Sequence, residues 1–94
     1  LAPRAGETLL VAPAAGAVGS LVCQMAQARA PGVRVVGTAV GERQAAFLAG
    51  LGVEPLAHDA DWPGPGGIDA FVDGVGGAFH ERMLPALNPR ARVL

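Results

Sequence analysis

Lysine and tyrosine are absent from this chain, and cysteine occurs once. A single thiol excludes an internal disulfide framework and any zinc site built from several cysteines. Charge is scarce as well. Only 16% of the 94 residues are charged, all seven basic ones are arginine, and the formal net charge is −1. Such a chain has no clustered basic face for nucleic acid. It is also too poor in charge for a disordered tail or a solvated linker. No apolar run approaches the roughly 18–20 residues that span a bilayer, so no membrane partner is expected. No charged stretch followed by an apolar one marks a signal peptide. His58 and His80 lack companions at ligand spacing, and no metal is expected.

What is present is apolar: 51% hydrophobic residues, with 14 glycines and 8 prolines. That composition supports one compact core. The chain opens on Leu1-Ala2-Pro3 and closes on Arg92-Val93-Leu94 inside an apolar run, and so reads as one piece of a larger protein. Strand-like runs alternate with segments of helical period, which predicts a parallel α/β sheet. Thr8–Ala12 is a short, continuously apolar strand ended by Pro13. From Ala17 the period changes: Val18, Leu21, Val22, Met25 and Ala26 mark one apolar helix face, stopped by Pro31-Gly32. Val33 to Thr38 is a second strand. Glu42 to Leu51 is a second helix, with Phe47, Leu48 and Leu51 on its apolar side and Gly52 just past its end. Pro55–Ala57 is a weak third strand. Residues 62–67, Trp-Pro-Gly-Pro-Gly-Gly, form a loop in place of a crossover helix. Ile68 to Val72 is the fourth strand. Phe79 to Leu87 is a helix that Pro85 kinks or ends, and a fifth strand starts at Ala91.

The segment Ala14-Ala15-Gly16-Ala17-Val18-Gly19-Ser20 lies between the first strand and the first helix, the context a dinucleotide fingerprint requires. A helix N-terminus offers unpaired N–H groups and partial positive charge to a pyrophosphate. Gly16 lets the backbone approach phosphate oxygens, and Gly19 lets the helix pack close to the strand. The usual first glycine of the pattern is Ala14 here. A tight strand-to-helix turn without ligand is the alternative.

Gly6-Glu7-Thr8-Leu9-Leu10-Val11 and the Ala14–Ser20 segment resemble the medium-chain dehydrogenase/reductase superfamily. Val35–Ala39, Leu51-Gly52, Val72-Asp73-Gly74-Val75-Gly76-Gly77 and Leu87-Asn88-Pro89 fit the same family in the same order. The form Ala-Ala-Gly-Ala-Val-Gly-Ser, with the Val-Gly-Gly after strand four, is most similar to its zinc-independent branch of quinone oxidoreductases and prostaglandin reductase-like alkenal/enone reductases. The resemblance implies a Rossmann-type domain over residues 1–94, one part of a two-domain cytoplasmic reductase. It implies hydride transfer from NADPH to an α,β-unsaturated carbonyl or a quinone. Catalytic side chains would lie on the missing domain of the same chain, so none is named here. A homodimer of the parent protein is an open alternative.

The cofactor-binding residues expected are Ala15, Gly16, Ala17, Val18, Gly19, Gly37, Arg43, Gln44, Gly74 and Val75. An NAD site places an acid at the end of strand two to hold the ribose 2′-hydroxyl. That end reads Gly37-Thr38-Ala39-Val40-Gly41, with no acid before Glu42. Arg43, the nearest cation, is the candidate partner of a 2′-phosphate. NADP(H) is therefore expected, with NAD(H) as the alternative. Three positions depart from the resemblance: Gln44 stands for lysine, Asp59 for tyrosine and Gly74 for asparagine. Two other functions remain open. One is an enoyl-reductase module of a polyketide or fatty-acid synthase; the other is a nucleotide-binding relative without turnover. Cys23 is expected to be a buried structural thiol. Asp73 reads as a turn or cap residue, and Trp62 either as a lid on the sheet edge or as a residue that packs on the missing domain.

Overall fold

The computed structural model describes residues 3–94. Its strands are β1 (Thr8–Ala12), β2 (Arg34–Ala39), β3 (Glu54–Ala57), β4 (Ile68–Asp73) and β5 (Leu87–Val93). Its helices are α1 (Ala17–Arg29), α2 (Gly41–Gly50) and α3 (Gly77–Met83). All strand pairs are parallel, in the order β3-β2-β1-β4-β5. This is the doubly wound Rossmann-type arrangement. Among the described residues, no helix is long and apolar enough to cross a membrane.

β1 is central, and every residue in it is buried. Side chains alternate across a strand, so its apolar run feeds two cores. Leu9 and Val11 pack with Cys23, Ala26 and Leu48 on one face. Leu10 and Ala12 pack with Phe71, Phe79 and Met83 on the other. Each buried Leu or Phe contributes about 1.5–3 kcal/mol of transfer free energy.

The buried face of α1 coincides only in part with the stripe that its apolar residues mark. Val18 is 77% exposed, Leu21 57% and Met25 48%. The sheet receives Ala26, with Val22 partly buried beside it, together with Ser20 and Cys23, which lie off the stripe. The reason is distance. A Cβ on Gly19 would stand 2.0 Å from the Pro13 carbonyl oxygen, so the helix lies too close to the sheet for bulky residues to fit between. In α2, likewise, Leu48 is fully buried while Phe47 stays half exposed.

Pro85 ends α3 rather than kinking it. Regular helix stops at Met83, and Leu84–Ala86 form a single 3₁₀ turn. The chain is already β5 at Leu87, four residues before the expected start. A register shift opposite Ile68–Ala70 accommodates the extra residues, and Arg90 takes a positive φ of 67° there. This bulge breaks the apolar pattern that would reveal a strand.

No helix joins β3 to β4. Trp62 covers the sheet there, packing against the core that holds Leu10, Val36 and Phe71. Its indole N–H donates to the Gly66 carbonyl at 3.0 Å, and the Arg34 guanidinium lies 5.8 Å from its ring centre.

Candidate functional site

Reading along the sheet, the chain first steps from β1 to β2 to β3, then crosses back to β4 and β5. The switch lies between β1 and β4. In open α/β sheets the crevice at the carboxyl ends of such a pair is where ligands bind. Here it is framed by the Ala14–Gly19 turn after β1 and the Gly74–Gly76 loop after β4. The two are tied together by the Gly74 N–H, which donates to the Ala12 carbonyl at 2.6 Å.

On the β1 side, Gly16 caps α1 in an extended conformation, φ −78° and ψ 174°, with no side-chain cap and no acid in the first turn. The N–H groups of Ala17, Val18 and Gly19 have no carbonyl four residues back within the helix. A Cβ on Gly16 would meet nothing within 4 Å. Neither the backbone angle nor the packing of the chain requires glycine there, whereas a ligand lying on the turn would. Gly19 is the opposite case, since protein backbone fills its Cβ position. Ala15 is half-buried, and Ala17 and Val18 face solvent at the start of the helix.

On the β4 side, Asp73 organises the loop. Its Oδ1 accepts from the Val75 and Gly76 N–H groups at 2.9 and 2.8 Å. Its Oδ2 lies 2.6 Å from His80 Nδ1, and its side chain is 6% exposed. Burial alone would raise the Asp73 pKa. The Gly76 and Val75 N–H groups and the His80 ring outweigh it and hold the carboxyl below its ordinary 3.8. Val75 is thereby presented, half exposed, toward the crevice.

Beside this loop is a cavity of about 350 Å³ lined by Pro13, Thr38, Val40, Gln44, His58, Val75, Phe79 and Arg82. Its walls mix apolar surface with a few polar groups, as nucleotide sites do. Gln44 is held in place there, its Oε1 accepting from the Val40 N–H at 2.7 Å.

No protein-family model matches the chain. Curated proteins do. It is 35% identical to mouse prostaglandin reductase 1 across 96% of its own length, and 41% identical to the NADPH-dependent curcumin reductase of Escherichia coli across 97%. Among solved structures it matches CurA of Vibrio vulnificus in complex with NADPH, at a TM-score of 0.80 and 35% identity over 97% of the chain. A mycobacterial quinone oxidoreductase superposes with a TM-score of 0.81 at 28% identity. Over nearly its whole length the chain is similar to reductases of the medium-chain dehydrogenase/reductase superfamily. It spans only 30% of the mouse relative and 28% of the bacterial one.

The structure brings most of the expected residues to one crevice. Ala15 to Gly19 lie on one side, Gly74 and Val75 on the other, and Gln44 in the adjoining cavity. Two expected residues stand elsewhere. Gly37 is buried within β2, where a Cβ would lie 2.5 Å from that of Ala14, so packing accounts for it. Arg43 is exposed in the first turn of α2 and does not line the cavity. Arg82 and His58, neither of them expected as a cofactor residue, also line the cavity. No local signal marks either one, because they meet only where Arg82 of α3 bonds the His58 carbonyl just past β3. Cys23 is fully buried, and burial pushes its thiol up to about 11, as suits a structural residue.

Proposed function

We propose that this chain is the NADP(H)-binding domain of a larger reductase that delivers hydride to an α,β-unsaturated carbonyl or a quinone. The observation that carries the reading is Gly16, a glycine that the fold itself does not require, set at the helix end facing the switch crevice. A bound pyrophosphate would lie against the N–H groups of Ala17 and Val18, where the helix end favours negative charge. Gly19 keeps those groups down at the rim of the sheet. Asp73 sets the Val75–Gly76 loop as the opposite wall. The nicotinamide, when bound, supplies the hydride. The work of this domain is to bind and orient the cofactor, and the substrate pocket and catalytic side chains belong to the rest of the protein. The names of the similar proteins, prostaglandin, curcumin and quinone reductases, support this substrate class.

The test uses the full-length protein. Fluorescence titration should show NADPH binding, and NADPH should be oxidised in the presence of an enone or a quinone. Binding without oxidation by any such acceptor would favour a non-catalytic relative, and no dinucleotide binding at all would end the proposal.

A further inference from the structure

We propose that Arg82, on α3, is the cation that selects the 2′-phosphate of NADPH in this protein, a role the first turn of α2 does not fill. The proposal rests on the NADP(H) reading above. Among the residues lining the cavity, Arg82 is the one with a permanent positive charge; Gln44 is neutral and Arg43 lies outside.

The guanidinium is held, not loose. Its Nη2 donates to the His58 and Ala60 carbonyls, both at 3.2 Å, which fixes it across the end of β3. Its carbon lies 5.5 Å from the centre of the Phe79 ring. Nε is 3.4 Å from Asp61 Oδ1. The hydrogen bonds of the guanidinium among the described residues both leave from Nη2, and the N–H donors on Nη1 are what an incoming anion would engage. Thr38 and His58 stand in the same wall.

Asp61 is the competitor. Its side chain is 84% exposed, so the solvated Asp61–Arg82 pair is weak. A phosphate dianion brings more charge to the same guanidinium. The arrangement therefore predicts selection that is real but blunted, with Asp61 as the blunting group.

The experiment titrates the full-length protein with NADPH, NADH and 2′,5′-ADP. Arg82→Gln should weaken NADPH and 2′,5′-ADP roughly tenfold, the loss of one charge-assisted contact, and leave NADH within about twofold. Asp61→Asn should tighten NADPH about threefold without changing NADH. Arg43→Gln should change neither. Equal weakening of NADPH and NADH in Arg82→Gln would make the residue a structural clasp and overturn the proposal. So would an unchanged NADPH affinity, or loss of the preference in Arg43→Gln instead. If Arg82→Gln does not fold, Asp61→Asn decides, and an unchanged ratio of NADPH to NADH affinity overturns the proposal. Wild-type protein that binds NADH more tightly overturns this inference alone, whereas protein that binds no dinucleotide overturns the functional reading beneath it.

Discussion

The methyl group of Ala14 fills the space that a side chain on Gly37 would need. A Cβ at Gly37 would stand 2.5 Å from Ala14 Cβ, with Val53 at 3.1 Å and Leu48 at 3.4 Å behind it. Ala14 sits where the dinucleotide fingerprint usually begins with glycine. The chain thus carries its small residue one strand over, on β2 instead of in the turn. Gly37→Ala should destabilise the domain by about 2–3 kcal/mol through overpacking. Ala14→Gly combined with Gly37→Ala should recover most of that loss. Urea denaturation of the single and double variants measures the coupling, and strictly additive effects would show that the two positions do not share this space.

Gly16 and Gly19 should separate binding from folding. Gly16→Ala places a methyl group in open space at an ordinary φ. Stability should stay within about 0.5 kcal/mol of wild type, while NADPH affinity falls. Gly19→Ala drives a Cβ into the Pro13 carbonyl, where only backbone movement gives relief. It should cost about 3 kcal/mol and lower the melting temperature. Equal melting temperatures for the two variants would contradict this division of roles.

Asp73 gives the domain an acid limb. Its folded pKa is depressed, so its contribution to stability is complete above its ordinary 3.8 and is lost as pH falls through the lower folded value. Asp73→Asn keeps an oxygen for the Val75 and Gly76 N–H groups but loses the charge, and should flatten the decline in stability below about pH 4. Asp73→Ala leaves both N–H groups and His80 without this partner and should cost about 2–3 kcal/mol. Denaturation midpoints at pH 3 and pH 7 decide. A wild-type decline that Asp73→Asn leaves just as steep would place the acid limb elsewhere.

Cys23 should be silent toward thiol reagents in the native state. It is fully buried, with its pKa pushed up to about 11 by loss of solvation, so little thiolate forms near neutral pH and no reagent reaches it. Ellman's reagent at pH 8 should titrate no thiol from this domain until denaturant is added. Rapid reaction in native buffer would mean that α1 lifts from the sheet.

The elements legible in the sequence are those with local causes. β1 runs from Thr8 to Ala12 as read, because a continuous apolar run and Pro13 define it on their own. The strand-helix alternation, the loop without a helix at residues 62–67 and the strand-to-helix turn at Ala14–Gly19 are local in the same way. What escaped depends on distance between elements. The inward face of α1 could not be read from hydrophobicity, because Gly19 sets a spacing that admits Cys23 and Ala26 and leaves Leu21 and Met25 outside. The start of β5 was hidden by the bulge at Arg90. The position of Arg82 beside the cavity left no trace in its own segment, because its partners, His58 and Ala60, lie 24 and 22 positions away in the loop that follows β3.

One indole does the covering that a crossover helix usually does. On the face of β2 and β3 opposite α2, the sheet is therefore closed by Trp62 and a glycine-rich loop, with little helical ladder to resist opening. Local unfolding follows such thinly buttressed segments. Arg82 clasps that loop through the carbonyl of Ala60 as well as β3's end through His58. A fluctuation that lifts the loop thus also loosens the hold on the guanidinium in the cavity wall. An anion drawing on Arg82 would act on the same contacts, and occupancy of the cavity and closure of this edge would then shift together.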